Sequence, residues 1–156
     1  MTTDKALDWF QNEELRAVEK SIRRIVRAND VQSRALAKQI GLTSPQLIVL
    51  KAIAALGEVT TTALSAHVDL SAATVVTILD NLENRALIRR YRSRNDRRVV
   101  HALLTPEGEA LISDAPGPMG AIFAQRFSRL DQSHREELIS AISTIADMMA
   151  SSDNDA

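Results

Sequence analysis

The sequence predicts a mainly α-helical fold carrying one small β-hairpin. Apolar residues recur at helical spacing through most of the 156 residues. Four of the helix starts are marked by short polar caps, at Asn12, at Thr43 or Ser44, at Ser71 and at Thr105. Only residues 86–105 break the pattern, reading as "ALIRRYRS" and "VVHALLT" on either side of the polar tip "RNDR". Composition agrees: 45% hydrophobic and 25% charged suits a globular chain, and 3% aromatic leaves the core to Leu, Ile, Val and Ala.

The first helix follows Asn12, with Glu13 and Glu14 in the turn where the helix dipole favours acids. Leu15, Val18, Ile22, Ile25 and Val26 set its stripe, Leu36 and Ile40 extend it, and Gly41 stops it. "LTSPQL" restarts the chain, with Pro45 in the first turn and Gln46 completing a Thr-x-x-Gln capping box. This second helix carries Leu47, Leu50 and Ile53 and ends at Gly57. A short helix over Thr61 to His67 and a turn at "DLS" lead into a helix capped by Ser71. There Val75, Ile78, Leu79 and Leu82 form one apolar stripe. Two short helices joined by a tight turn make a helix-turn-helix, and the hairpin after it makes a wing. Thr105 and Pro106 open a further helix, which "DAPGPMG", residues 114–120, interrupts as either a kink or a loop. The closing helix aligns Leu138, Ile142, Ile145 and Met149, and residues 151–156 should be a disordered tail. The expected organisation is a helical segment with linker over 1–44, a winged helix-turn-helix over 45–104 and closing helices over 105–150.

Several classes of function are excluded. Cysteine is absent, which removes disulfides, thiol catalysis and zinc–thiolate sites. His67, His101 and His134 are scattered along the chain, no acids join them at metal-ligand spacing, and no serine sits in a nucleophile elbow. Each reads as a packing or surface residue. Neither catalytic residues nor a metal or cofactor site is expected. No apolar run approaches the ~20 residues of a membrane span, and "MTTDKALDWF" lacks a basic-then-apolar leader. A cytoplasmic chain without membrane contact is expected. Trp9 and Phe10 read as core or interface packing ahead of sealing a dimer groove or lining a ligand pocket, and Lys20, Arg23, Arg24 and Arg27, interleaved with Glu19 and Asp30, as a solvated helix face ahead of added DNA contacts.

The charge distribution is more specific than its sum. Net charge is −1, yet residues 85–98 hold seven arginines against Asp96 alone, a local +6 that leaves −7 for the rest. Localised charge asks for a local partner. On the preceding helix, Ser71, Ala72, Ala73, Thr74 and Thr77 lie away from the buried stripe. Short side chains of this kind let a helix enter the major groove, offering hydroxyls and methyls to phosphates and base edges. In the hairpin, Arg90, Arg92, Arg94, Arg97 and Arg98 are candidate contacts to phosphates or a narrow minor groove. Asp96 is placed to fix one guanidinium by a bidentate bond. Double-stranded DNA is therefore the expected partner. The alternatives are an ordinary solvated helix, a basic surface that serves solubility or pairs with acids elsewhere in the chain, and a winged helix whose basic hairpin docks an acidic protein.

With "ILDNLENRALIRR", Asp96-Arg97-Arg98, Leu104-Thr105 and Gly108 in place, the chain resembles the MarR family of winged-helix transcription regulators. Leu42, Thr43 and Gln46 match the family's Leu-Thr-x-x-Gln start, and the resemblance runs from about Ile22 to Met149. It implies a homodimer built by the first and last helices, here through Leu15, Val18, Ile22, Leu138, Ile142, Ile145 and Met149. It further implies a ligand-responsive repressor on a pseudo-palindromic operator, with a small-molecule effector of unknown identity. Residues 22–50 are similar to the branch that represses compatible-solute operons. One position departs from the pattern, with Ala86 where the family usually has Gly. A positive φ there would cost an alanine about 1 kcal/mol. Either the turn is strained or Asn84 takes the left-handed conformation instead.

Overall fold

Side-chain caps set most helix boundaries in the computed structural model, which describes residues 11–150. Trp9, Phe10 and the last six residues lie outside the described residues. Helix α1 (Glu13–Ile40) starts where Asn12 Oδ1 accepts the Leu15 N–H at 3.0 Å, and ends at Gly41, whose φ of 72° is left-handed. For α2 (Ser44–Leu56) the cap is Thr43: its hydroxyl receives the Gln46 N–H while Gln46 Oε1 accepts the Thr43 N–H, closing the capping box. A two-residue strand, β1 (Val59–Thr60), precedes α3 (Thr61–Val68). It was not expected, because "EVT" is too short to display a period of two.

Between α3 and α4 (Ala72–Asn84) the chain turns by 109°, within the usual range for a helix-turn-helix. Asp69 makes this turn at φ 54°. Strands β2 (Ile88–Arg92) and β3 (Val100–Leu104) pair antiparallel with Tyr91 opposite His101, and β1 joins the other edge of β3. Thr105 then caps α5 (Pro106–Ser113), accepting the Gly108 N–H at 3.1 Å.

Residues 114–120 form a loop and not a kinked helix. Pro116 and Pro118 cannot donate to a helical ladder. Their neighbourhood is held instead by side chains of α2: Lys51 Nζ donates to the Ala115 carbonyl at 3.3 Å and Ser44 Oγ to the Pro118 carbonyl at 3.2 Å. Helices α6 (Ala121–Ser128) and α7 (Gln132–Ala150) complete the described chain.

The described residues fall into two units, one ending at Met119 and the other beginning at Gly120. The first has a continuous aliphatic core in which Leu36 of α1 meets Leu47, Leu50, Ile53, Leu64, Val75, Leu79, Leu82 and Ile88. The rest of α1 leaves its stripe in the open, with Leu15, Val18, Ile25 and Val26 exposed. In the second unit Phe123 stacks on Phe127, with ring centroids 5.6 Å apart, and no described residue of α6 or α7 is buried. Leu138, Ile142 and Met149 are each more than half exposed. No single described helix is long and apolar enough to cross a membrane.

Candidate nucleic-acid interface

Helix α4 is oriented by its own stripe. Burial of Val75, Ile78, Leu79 and Leu82 turns Ser71, Ala72, Ala73, Thr74 and Thr77 outward, and all five are exposed. Their hydroxyls are already ordered. Ser71 Oγ accepts the Thr74 N–H at 3.2 Å and lies 2.8 Å from Thr74 Oγ1. Thr77 Oγ1 donates back to the Ala73 carbonyl at 3.1 Å. With its proton spent on the helix, the Thr77 oxygen faces a ligand as an acceptor. A base-edge amino group or a bridging water suits it better than a phosphate.

At its far end α4 closes in a Schellman motif. The Ala86 N–H donates to the Glu83 carbonyl at 2.9 Å, and the Leu87 N–H to the Leu82 carbonyl at 3.0 Å. This motif requires a left-handed residue, and Ala86 supplies it at φ 56°. The alternative through Asn84 is overturned, since Asn84 is the last residue of the helix. The Thr105 hydroxyl donates to the Ala86 carbonyl at 2.7 Å and fixes the strained residue. Gly108 explains the rest of the junction: a Cβ there would collide with the Leu87 carbonyl oxygen.

The wing tip is a closed turn. The Ser93 N–H donates to the Val99 carbonyl and the Val99 N–H to the Asp96 carbonyl, both at 2.9 Å. Asp96 Oδ1 accepts both the Arg98 N–H, at 3.0 Å, and Arg98 Nε, at 3.3 Å. The arginine Asp96 holds is thus Arg98, through one carboxylate oxygen instead of the expected bidentate pair. A fork-to-fork pair needs two facing groups, whereas a turn two residues wide presents only one oxygen to the neighbouring backbone and Nε. Arg92 donates to the Arg97 carbonyl at 2.9 Å, bracing the tip from the strand.

The seven arginines therefore divide by partner. Arg85 donates to the Gly41 carbonyl at the end of α1. Arg90, expected among the wing contacts, points to α4: its guanidinium lies 3.0 Å from Glu83 Oε1 and 2.5 Å from Asp80 Oδ1. Its hydrogen bonds to Glu83 outweigh burial and, with Asp80, hold its pKa above the ordinary arginine value. Arg92 and Arg98 are tied within the tip, and the Arg98 side chain is still 93% exposed. Arg89, Arg94 and Arg97 are exposed, with no guanidinium hydrogen bond or ion pair among the described residues. Pairing with acids elsewhere in the chain, one of the alternatives for the cluster, holds for Arg90, but sequence spacing does not show which acids these are. Asp80 and Glu83 stand at i, i+3 on one helix face, but nothing local announces that an arginine seven residues on folds back onto them.

The histidines are dispersed as expected. His101 stacks on Tyr91 in the wing sheet at 5.3 Å, with Nδ1 buried and without a hydrogen-bond partner among the described residues, while His67 is exposed and His134 Nδ1 lies 2.8 Å from Asp131.

A family model for MarR matches residues 42–100, from the residue before the α2 cap to the first residue of β3. An HTH-type transcriptional regulator of Bacillus subtilis strain 168, YsmB, is 33% identical over 97 residues, covering 62% of this chain and 66% of its own. Over residues 42–100 the chain matches the MarR family. The MarR match contains α4, Ala86 and the whole arginine-rich tip. A repressor from the same organism, MdtR, is 28% identical over 115 residues, 74% of this chain and 72% of that one. Among solved structures, a MepR-like protein crystallised with pseudoligands aligns over 96% of this chain and 97% of its own, at 26% identity and a TM-score of 0.68. The match to YsmB spans just under two thirds of that relative.

Proposed function

We propose that this chain is a cytoplasmic homodimeric repressor of the MarR family that reads a pseudo-palindromic DNA operator and releases it on binding a small-molecule effector. The observation that carries the reading is the pairing of two uncovered surfaces in one unit. The start of α4 exposes short side chains at Ser71, Ala72, Ala73, Thr74 and Thr77, and the adjoining wing exposes the guanidinium groups of Arg89, Arg94 and Arg97 without internal partners among the described residues. Short side chains suit a groove, and free guanidinium groups suit phosphates or a narrow minor groove. Repression is supported by the likeness to MdtR. Dimerisation is supported by the open apolar stripes of α1 and α7, with Leu15, Val18, Ile25 and Val26 exposed on one and Leu138, Ile142 and Met149 on the other, because contiguous apolar surface left in water marks association sites. For an effector, the first unit offers an open surface groove of about 390 Å³ lined by Ile48, Lys51, Ala52, Ala55, His67, Val68 and Pro118. That volume suits a small organic ligand. Osmolyte-related operons as targets rest on the resemblance of residues 22–50 alone.

The test uses a duplex that the protein itself selects from a randomised library, beside a scrambled duplex. Arg97→Ala/Arg98→Ala should weaken both, and the log–log salt slope should fall by roughly 1–2 units, about 0.9 for each phosphate no longer neutralised. Asp96→Ala should weaken the selected duplex although it makes the wing more positive, because Arg98 loses its anchor. Unchanged DNA affinity in the double-arginine variant would refute this reading and favour docking of an acidic protein on the wing.

A further inference from the structure

We propose that Arg90, Asp80 and Glu83 form a positioning bracket that sets the angle between α4 and the wing, and that Arg90 does not itself touch nucleic acid. The proposal rests on the DNA-binding reading and assigns a different role to one arginine of the cluster. Arg90 is bound at every donor that faces α4. Its backbone N–H reaches Glu83 Oε2 at 2.9 Å, while Nε and one terminal nitrogen reach Glu83 Oε1 at 3.3 and 3.0 Å. The same terminal nitrogen reaches Asp80 Oδ1 at 2.5 Å. Its side chain is only 22% exposed, against 93% for Arg98 at the tip. An arginine meant for phosphate is unlike this one, since it would have to abandon two carboxylates to reach DNA.

The bracket spans the one place where helix and wing can change their mutual angle. Only Arg85, Ala86 and Leu87 separate the end of α4 from the start of β2, and the middle residue is left-handed. Backbone bonds and the buried Leu87 hold the near side of this link. Glu83 and Asp80 grip β2 two residues beyond its start, where Arg90 is in register with the buried Ala102 of the central strand. A planar guanidinium held by two carboxylates one helical turn apart fixes orientation as well as distance, which a lysine cannot reproduce. The same pairing screens two acids that would otherwise face the phosphates from the DNA-reading helix.

Positioning and contact predict opposite signs. In Asp80→Asn/Glu83→Gln the charge rises by two and Arg90 is released. If Arg90 positions the wing, affinity for the selected duplex should drop at least tenfold, while the scrambled duplex binds as before or more tightly. Tighter binding to both duplexes would identify Arg90 as an ordinary contact held in check by acids, and would overturn the proposal. Unchanged binding to both would overturn it too. Arg90→Lys keeps the charge and loses the fork, so the ratio of selected to scrambled affinity should fall with the scrambled-duplex salt slope preserved. A retained ratio, or a slope lowered by about 0.9, would also count against the bracket. Binding is measured well below each variant's melting temperature, so that loss of fold is not read as loss of angle. A wild-type protein that selects no duplex would remove the DNA-binding reading itself, a result distinct from all of these.

Discussion

Replacing Ala86 by glycine should stabilise the protein, an unusual direction for a change that introduces flexibility. Ala86 occupies the left-handed position of the Schellman motif at φ 56°. A side chain there costs about 1–2 kcal/mol through the clash of Cβ with the following carbonyl. Glycine removes that clash but gives the unfolded chain more freedom, which returns roughly 0.4–1 kcal/mol. Ala86 is exposed, so its methyl contributes no core packing. All three polar links at the turn use backbone atoms or the Thr105 hydroxyl and survive the change. The net expectation is a gain of about 0.5–1 kcal/mol, and for a chain of this length about 1–4 °C in Tm. Circular dichroism melts of both proteins at equal concentration would read it, with Ala86→Val as the opposite control. A β-branched residue is a genuine outlier at positive φ and should lower Tm. A glycine variant that melts at or below the wild-type temperature would refute the strain argument, leaving the motif relaxed with alanine in place.

Three further outcomes follow from the same geometry. Gly108→Ala should destabilise by at least the ~1–3 kcal/mol typical of overpacking, because its Cβ would collide with the Leu87 carbonyl oxygen, and a lowered urea midpoint would show it. Ile142→Asp places a charge on the exposed apolar seam of α7, so sedimentation should show a monomer, with loss of selective DNA binding in the same sample. Asp131 caps α7, and the His134 N–H and then the His134 ring hold its pKa below the ordinary aspartate value. Its contribution is complete above that ordinary value and disappears as pH falls through the lowered one. Asp131→Ala should therefore melt earlier than wild type at neutral pH, with the two curves converging in acid. A gap that persists in acid would assign the effect to something other than the carboxylate.

What was legible in the sequence was whatever is decided within a few residues. The caps at Asn12, Thr43, Ser71 and Thr105 each bind a backbone N–H three residues on, so spacing alone reveals them. The stripe Val75, Ile78, Leu79, Leu82 is likewise a local period, and it correctly turned Ser71, Thr74 and Thr77 outward. Strand β1 escaped notice because two residues carry no period, and its only claim to be a strand is the partner Ala102–His101 pair far along the chain. The conformation of Ala86 was undecidable for a different reason: Asn is the better left-handed residue by intrinsic preference. The position is fixed by Leu82 and Leu87 both being buried, which places the reversal at the residue between Arg85 and Leu87.

The arginine cluster shows where such reading stops. Seven like charges in one short segment announce a partner, and that inference needs no structure. Which of them are available to that partner depends on contacts that sequence spacing does not display. Arg85 is drawn to the carbonyl that ends α1, and Arg90 to two acids on α4. Arg92 and Arg98 shape the tip they belong to, leaving the guanidinium groups of Arg89, Arg94 and Arg97 free of internal partners among the described residues. A cluster with every guanidinium free would bind any duplex by charge and repel itself into many shapes. Internal bonds to Arg85, Arg90, Arg92 and Arg98 limit the arrangements open to the cluster and help fix where its charges stand. The internal bonds thus convert a count of charges into a shape, and shape is what separates one duplex from another.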